Sequence, residues 1–308
     1  MHNKPLLLGA TAALLAAAGL LGCAADKPPV MVPVTTTSSS TATSTVTTPP
    51  LAVLSRAQVE AIVDSPDRSA ADRTNDVRRH PVDMLTFIGI KPGWTALDVF
   101  TGGGYTTELL ARAVGPTGLV YGQSRPRNPN ATPPKPAAPE GGAATPAAAP
   151  APAAAPRGPA DVLADRSAEM KAAGVAAAPI AFVALPFDNP VPPEAIGKLD
   201  LVTLMFNYHD LGWLGTDRAS TNRAIFAALK PGGLYVIADH AGRPGTGISE
   251  SGTLHRIEES FLKSEVEAAG FRLLAEGDFL RNPNDPRDQN TPNPPQPKDE
   301  FVLKFVKP

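Results

Sequence analysis

The chain has 308 residues, 35 of them Pro, with 28 Lys and Arg against 30 Asp and Glu for a net charge of −2. That balance leaves no electrostatic footprint for nucleic acid or for an anionic membrane surface, and a single Cys excludes an internal disulfide framework and any multi-thiolate zinc site. Setting aside residues 1–50 and a Pro/Ala-dense stretch at 125–160 leaves roughly 220 residues of ordinary composition, enough for one hydrophobic core.

Lys4 precedes an apolar run over residues 6–21 that ends in Gly22-Cys23. The run is short of the about 20 residues that a membrane span needs, and it suits the apolar part of a signal peptide. Leu20-Leu21-Gly22-Cys23 resembles a bacterial lipobox. The resemblance implies a lipoprotein signal peptide over 1–22 and lipidation of Cys23. It also implies a place in the cell envelope, on the periplasmic side of the inner or outer membrane, with membrane contact only through an N-terminal lipid anchor. Residues 23–50 are mostly Ser, Thr, Pro and Ala and read as a disordered tether, because they cannot bury enough apolar surface to order themselves. The folded part is expected over 51–308, interrupted by a disordered Pro/Ala-rich insertion at 125–160.

Ser55 is placed to cap a helix through Val63, and 67–79 reads as a polar helix stopped at His80-Pro81. A short apolar strand over 95–100 runs into the glycines 102–104, and a helix follows with Leu109, Leu110, Ala113 and Val114 on one face. Gly115-Pro116-Thr117-Gly118 stops that helix before a second strand at 119–123. Beyond the insertion come a helix at 161–173 and a third strand at 180–185. A nearly all-apolar fourth strand at 199–206 fits a parallel sheet buried on both faces. A helix at 217–229, the turn Lys230-Pro231-Gly232-Gly233 and a strand at 234–239 follow. A helix at 254–269 and strands at 271–279 and 301–307 complete the order. This alternation predicts a doubly wound α/β sheet with a terminal antiparallel strand pair.

Ligands of such sheets bind beyond the carboxyl ends of the strands, so the residues after each strand carry the functional reading. After the first strand stand Asp98 and then Gly102, Gly103, Gly104 and Tyr105. Glycines there let backbone approach a ligand, and the next helix offers its N–H groups. A nicotinamide dinucleotide fingerprint would need a small residue at 107, where Thr107 stands, and would not need Asp98. Neither a G-x-S-x-G nor a P-loop pattern occurs.

An acidic residue at the strand end followed by glycines resembles motif I of the class I S-adenosylmethionine-dependent methyltransferases. Leu229 to Leu234, leading into Val236–His240, resembles the turn and fifth strand of that superfamily. More narrowly, several segments are similar to a bacterial family of predicted methyltransferases. They are Asp72-Arg73, Asp76, Arg79-His80-Pro81, Gly102 to Tyr105, Asn207-Tyr208-His209-Asp210, Asp239-His240, His255-Arg256 and Leu303 to Pro308. The resemblance covers roughly residues 67–308 without the insertion and says nothing about substrate. It implies a Rossmann-like methyltransferase fold with S-adenosylmethionine as cofactor. Gly102, Gly103, Gly104 and Tyr105 would lie by the methionine part, Asp98 would receive the amino group, and Asn207 would face the site.

The acidic residue that usually holds the ribose is replaced by Gln123 or Ser124, and Phe100 replaces the first glycine of the motif. Gln123 can still donate and accept hydrogen bonds, so it takes the ribose role. His209 or His240 is the candidate general base and Asp210 stands beside them, because histidine titrates near neutral pH. Asp210 and Asp239 also admit a divalent-cation reading, but carboxylates near histidines are common by chance and no metal ligand set is assigned. Arg79 is read chiefly as a helical ion-pair partner of Asp72 or Asp76, the alternative being that it reaches the cofactor carboxylate from the N-terminal helix. The expected activity is methyl transfer to a small-molecule or envelope acceptor. The alternative is a non-catalytic envelope lipoprotein that binds a ligand on the retained fold, a reading favoured by the missing charge at Gln123.

Overall fold

In the computed structural model, residues 52–126, 157–292 and 294–308 are described. The expected signal peptide, Cys23, the tether and most of the insertion lie outside them. Seven strands form one sheet: β1 (Thr95–Val99), β2 (Leu119–Ser124), β3 (Ile180–Ala184), β4 (Leu199–Met205), β5 (Leu229–His240), β6 (Arg272–Gly277) and β7 (Glu300–Val306). Their order is β3-β2-β1-β4-β5-β7-β6. β1 pairs in parallel with β2 and β4, β2 with β3 and β4 with β5, whereas β7 runs antiparallel to both β5 and β6. This is a doubly wound, Rossmann-like α/β sheet with a terminal antiparallel pair, as the strand and helix alternation predicts.

The helices are α1 (Arg56–Val63), α2 (Ala70–Arg79), α3 (Pro81–Ile88), α4 (Tyr105–Val114), α5 (Pro159–Ala172), α6 (Asp210–Trp213), α7 (Arg218–Ala228) and α8 (Glu259–Ala268). Successive strand side chains point to opposite faces, and each face has its own apolar layer. Leu97, Val99, Val202, Leu204 and Ile237 join Ile225, Leu262 and Val266 of α7 and α8. Ala96, Leu201, Met205 and Val236 join Val59, Leu85, Ile88 and Leu110 of α1, α3 and α4 on the other face.

Three elements differ from the sequence expectation. The polar helix stops at His80 as expected, but Pro81 opens a further helix, α3, that the sequence expectation does not include. His80 adopts a left-handed conformation (φ 43°) that ends α2, and Pro81 opens α3, where its missing N–H costs nothing. The expected turn at 230–233 lies inside β5. The pairing jumps from Leu199 opposite Leu229 to Leu201 opposite Leu234, so the extra residues bulge from a continuous strand. The last helix begins at Glu259 instead of residue 254, because His255 is left-handed (φ 50°) and Ile257 bridges to Ala241 beside β5. Arg256, fully buried, pairs with Asp285 at 2.8 Å and donates to the carbonyls of Ala241 and Gln289. It therefore ties the loop before β7 to the end of β5.

Candidate functional site

The chain winds from β1 toward β2 and β3 in one direction and from β4 toward β5 in the other, which opens a crevice between the ends of β1 and β4. A cleft of about 370 Å³, including its open mouth, lies there. It is lined by Arg79, Asp98, Phe100, Thr101, Gly102, Gly103, Tyr105, Thr106, Met205 and Asn207. Of the residues singled out in the sequence, Asp98, Gly102, Gly103, Tyr105 and Asn207 share this cleft. Gly104 and Gln123 do not line it, and His209, Asp210 and His240 form a neighbouring cluster.

Asp98 sits at the centre. Its Oδ2 accepts from the Thr107 hydroxyl at 2.6 Å and its Oδ1 from Thr203 at 2.8 Å, and each oxygen keeps a further lone pair for a ligand. Thr107 in turn meets Thr101 through a hydroxyl–hydroxyl hydrogen bond. Burial pushes Asp98 up to about 6, against the downward pull of the two threonine hydroxyls and the charge of Arg79. Arg79 comes from the last turn of α2, with its guanidinium 4.8 Å from the Phe206 ring and 5.2 Å from the Tyr105 ring. Asp72 is held by Arg166 and Asp76 by Arg68 in a bidentate pair, and Arg79 of the same helix lines the cleft. The Tyr105 hydroxyl donates to Asp76 at 2.6 Å, which fixes the ring beneath Arg79. Sequence reasoning put Arg79 in the right segment, but its stacking depends on Phe206, whose positive φ of 64° cannot be read from residue type.

The glycine loop divides its roles. A Cβ at Gly103 would meet nothing within 4 Å, whereas a Cβ at Gly104 would stand 2.7 Å from Leu163 Cδ2 and 2.8 Å from Arg166 Cδ. Gly104 also has φ 77° and forms the N-cap of α4 without a side-chain hydrogen bond. It serves the packing of α5 against the loop. Gln123 is engaged by the scaffold too. It is fully buried, its Oε1 accepts from the Phe100 N–H at 3.2 Å and its Nε2 donates to the Leu185 carbonyl at 2.6 Å. Both ends of the amide are spent on joining the loops after β1 and β3. Phe100, in a left-handed conformation (φ 66°), stacks on Phe187 with ring centroids 4.3 Å apart.

Beyond β4 and β5, His209 is 1% exposed and is bonded at both ring nitrogens. Nδ1 lies 2.6 Å from Asp239 Oδ1 and Nε2 lies 3.1 Å from Asp210 Oδ1, while the His209 N–H donates to Asp239 Oδ2. Burial opposes its charge, but Asp239 and Asp210 prevail and raise its pKa to about 10. At neutral pH this holds the imidazole as a donor between two carboxylates, which works against the general-base role expected of it. Asp210 is held well below the usual carboxylate range. Burial raises it, and the bonds from His209, Trp213 and Asn207 more than offset that. His240 Nδ1 lies 2.9 Å from Glu300 Oε1, to which Arg78 also donates. Asn207 joins the two regions, since it lines the cleft and its Nδ2 donates to Asp210 Oδ2 at 2.8 Å.

The cofactor that the sequence resemblance implies can be tested against these groups. An α-amino acid end carries one ammonium and one carboxylate, and the cleft offers Asp98 and Arg79 beside open backbone at Gly102 and Gly103. That end fits. The ribose assignment at Gln123 does not, because the amide faces the interior.

Neither a protein-family model nor a curated protein matches the chain. Solved structures do match. An S-adenosylmethionine-dependent methyltransferase from Aquifex aeolicus is 16% identical, over 83% of this chain and 100% of that one, with a TM-score of 0.48. The (4+2)-cyclase SpnF is 15% identical, over 84% of this chain and 98% of its own, with a TM-score of 0.47. A TehB-like S-adenosylmethionine-dependent methyltransferase from Corynebacterium glutamicum is 15% identical, over 78% and 99%, with a TM-score of 0.41. The likeness is one of fold, and the strand order carries the fold assignment by itself.

Two outcomes follow from this geometry. Gly103→Val should keep global stability within about 0.5 kcal/mol, while Gly104→Val should lose about 3 kcal/mol through overpacking and backbone strain, as read from denaturant midpoints of the full chain. Asp98 holds its proton more tightly in the folded chain than in the unfolded one. Its contribution to stability is therefore complete below about pH 4 and is lost as pH rises through about 6. Asp98→Asn should remove this loss, so that its stability relative to the parent rises by roughly 2–3 kcal/mol between pH 4 and 7. A difference that stays flat across that range would show that Asp98 ionises at its ordinary pH.

Proposed function

We propose that the chain is an S-adenosylmethionine-dependent methyltransferase acting on a small-molecule or envelope acceptor. The observation that carries this reading is the pairing of a buried carboxylate, Asp98, with a guanidinium, Arg79, across a glycine-lined cleft at the strand switch point. Opposite charges in one small cleft match the ammonium and carboxylate of an amino-acid end, and buried groups with displaced pKa values gather where ligands bind. Bound there, the sulfonium cofactor would supply an activated methyl group. The chain's own task is then to align an acceptor, and alignment alone is worth several orders of magnitude in rate. Asn207 stands where it can report the state of the His209–Asp210 cluster to the cleft, because it lines the one and bonds to the other. The inward-turned Gln123 and the doubly bonded His209 favour a second reading, a binding protein that has kept the fold without catalysis.

We also propose that the domain is tethered to the cell envelope through a lipid on Cys23, as the lipobox-like Leu20-Leu21-Gly22-Cys23 suggests. A cofactor made inside the cell must then reach an exported domain, or a different ligand must take its place.

Calorimetric titration of the full chain with S-adenosylmethionine and S-adenosylhomocysteine tests the first proposal. Binding in the micromolar range that Arg79→Ala weakens by about tenfold or more, in line with the loss of a charged hydrogen bond, is the expected result. No binding at millimolar ligand would overturn both the cofactor and the activity, and binding without methylation of any acceptor would favour the second reading. For the anchor, radiolabelled palmitate should enter the parent protein in bacterial cells and be absent from Cys23→Ser. Equal labelling of the two would refute lipidation at Cys23.

A further inference from the structure

The cluster beyond β4 and β5 holds more nitrogen and oxygen donors than the methyl-transfer reading uses. His209, Asp210 and His255 each bring one potential ligand atom, and these atoms all lie within 4.8 Å of one another. We propose that His209, Asp210 and His255 form a binding site for a divalent first-row transition cation of the zinc class. The site stands on different residues from the Asp98–Arg79 cleft, with Asn207 bordering both.

Ligands of a common ion at bond lengths of about 2.0–2.2 Å stand roughly 3.0–3.5 Å from each other. His209 Nε2 lies 3.1 Å and His255 Nδ1 lies 3.4 Å from Asp210 Oδ1, so two of the three edges already have that length. The donor set of two imidazoles and one carboxylate suits zinc, ferrous iron or cobalt, and is poorly matched to calcium or magnesium, which prefer all-oxygen surroundings.

The surroundings are those that a metal ligand needs. A ligating histidine gives its other ring nitrogen to a carboxylate that fixes its orientation. Asp239 does this for His209, with one oxygen on Nδ1 at 2.6 Å and the other on the His209 N–H at 2.7 Å. The Asp210 carboxylate is aimed in the same way, by Trp213 Nε1 on Oδ1 at 2.8 Å and by Asn207 Nδ2 on Oδ2 at 2.8 Å. A divalent ion at this place takes over from the proton that His209 Nε2 holds against Asp210, which is released on binding, and cancels the two negative charges that Asp210 and Asp239 then leave at the cluster. His255 is held in a left-handed conformation that few non-glycine residues adopt, the kind of strained backbone that gathers at functional sites. Its side chain is 36% exposed while His209 is 1% exposed, so the cluster is buried at its base and reached from the His255 side. Three protein ligands leave a coordination position for water or for an oxygen of a small molecule.

The test uses the full chain, freed of metal by a chelator and titrated with Zn²⁺ alone and with Co²⁺ alone. The expected result is one Zn²⁺ bound per chain and a Co²⁺ complex with visible d–d absorption. His255→Ala, a change at a half-exposed position, should weaken both by at least about tenfold. His80→Ala, whose parent side chain lies by Asp83 of α3, should bind as the parent does. Circular dichroism reports whether each variant is folded. Should His255→Ala not fold, His255→Gln, which keeps the length and polarity of the side chain, takes its place with the same expectation. No Zn²⁺ bound at 1:1 stoichiometry would overturn the proposal, as would a loss smaller than tenfold in the folded variant. Either result would leave these three residues as a hydrogen-bonded network only.

Discussion

A carboxylate in the middle of a parallel sheet is costly unless it is hydrogen-bonded, and the bonds that satisfy Asp98 organise the crevice around it. Thr203 reaches it from β4 and Thr107 from α4, so one side chain joins the two strands at which the winding reverses to the helix that follows β1. The same contacts place the glycine loop. Thr101 bonds to Thr107 through its hydroxyl and to the Gln123 carbonyl through its N–H, which pins the loop between β2 and α4.

Around that centre the molecule satisfies its charges in groups. Arg166 with Asp72 ties α2 to α5, Arg78 with Glu300 ties α2 to β7, Arg112 with Asp67 ties the turn before α2 to α4, and Arg68 with Asp76 braces α2 against that turn. Buried ion pairs give little net stability against well-packed apolar residues, but removal of one partner is expensive, so such networks fix geometry more than they raise the free energy of unfolding. Their effect here is positional. They hold α2 at an angle that delivers Arg79 over Phe206 and Tyr105 to the open side of the cleft.

The strands were legible because a parallel sheet buried on both faces demands continuous apolar runs, and 199–206 is one. The antiparallel end pair was legible from two further apolar runs with no helix between them. Turn chemistry was harder to read. Pro81 marks both an end and a beginning, and only the left-handed φ of His80 says which, since it ends one helix and directs the next. The cleft was legible where function follows from residue type, as for the acid at a strand end or the glycines after it. It was not legible where function follows from direction. Gly103 and Gly104 are the same residue in adjacent positions, yet one faces open space and the other Leu163 and Arg166 of α5. Gln123 has the hydrogen-bonding chemistry to hold a ribose, and its burial between two loops spends that chemistry on the scaffold. His209 likewise has the side chain of a base, and two neighbouring carboxylates make it a donor.

Arg166 has a consequence for how the chain tolerates change. Its guanidinium bonds to Asp72 and Glu108 and to the Gly103 carbonyl, while Leu163 packs on Gly104 from the same helix. α5 is therefore seated by contacts made within its own length. Loop closure grows only logarithmically more costly with length, so residues between Ser124 and Pro159 can be added or removed at small thermodynamic expense. That junction is where the fold can take in new sequence, a spacer or a whole inserted module, and keep its crevice unchanged.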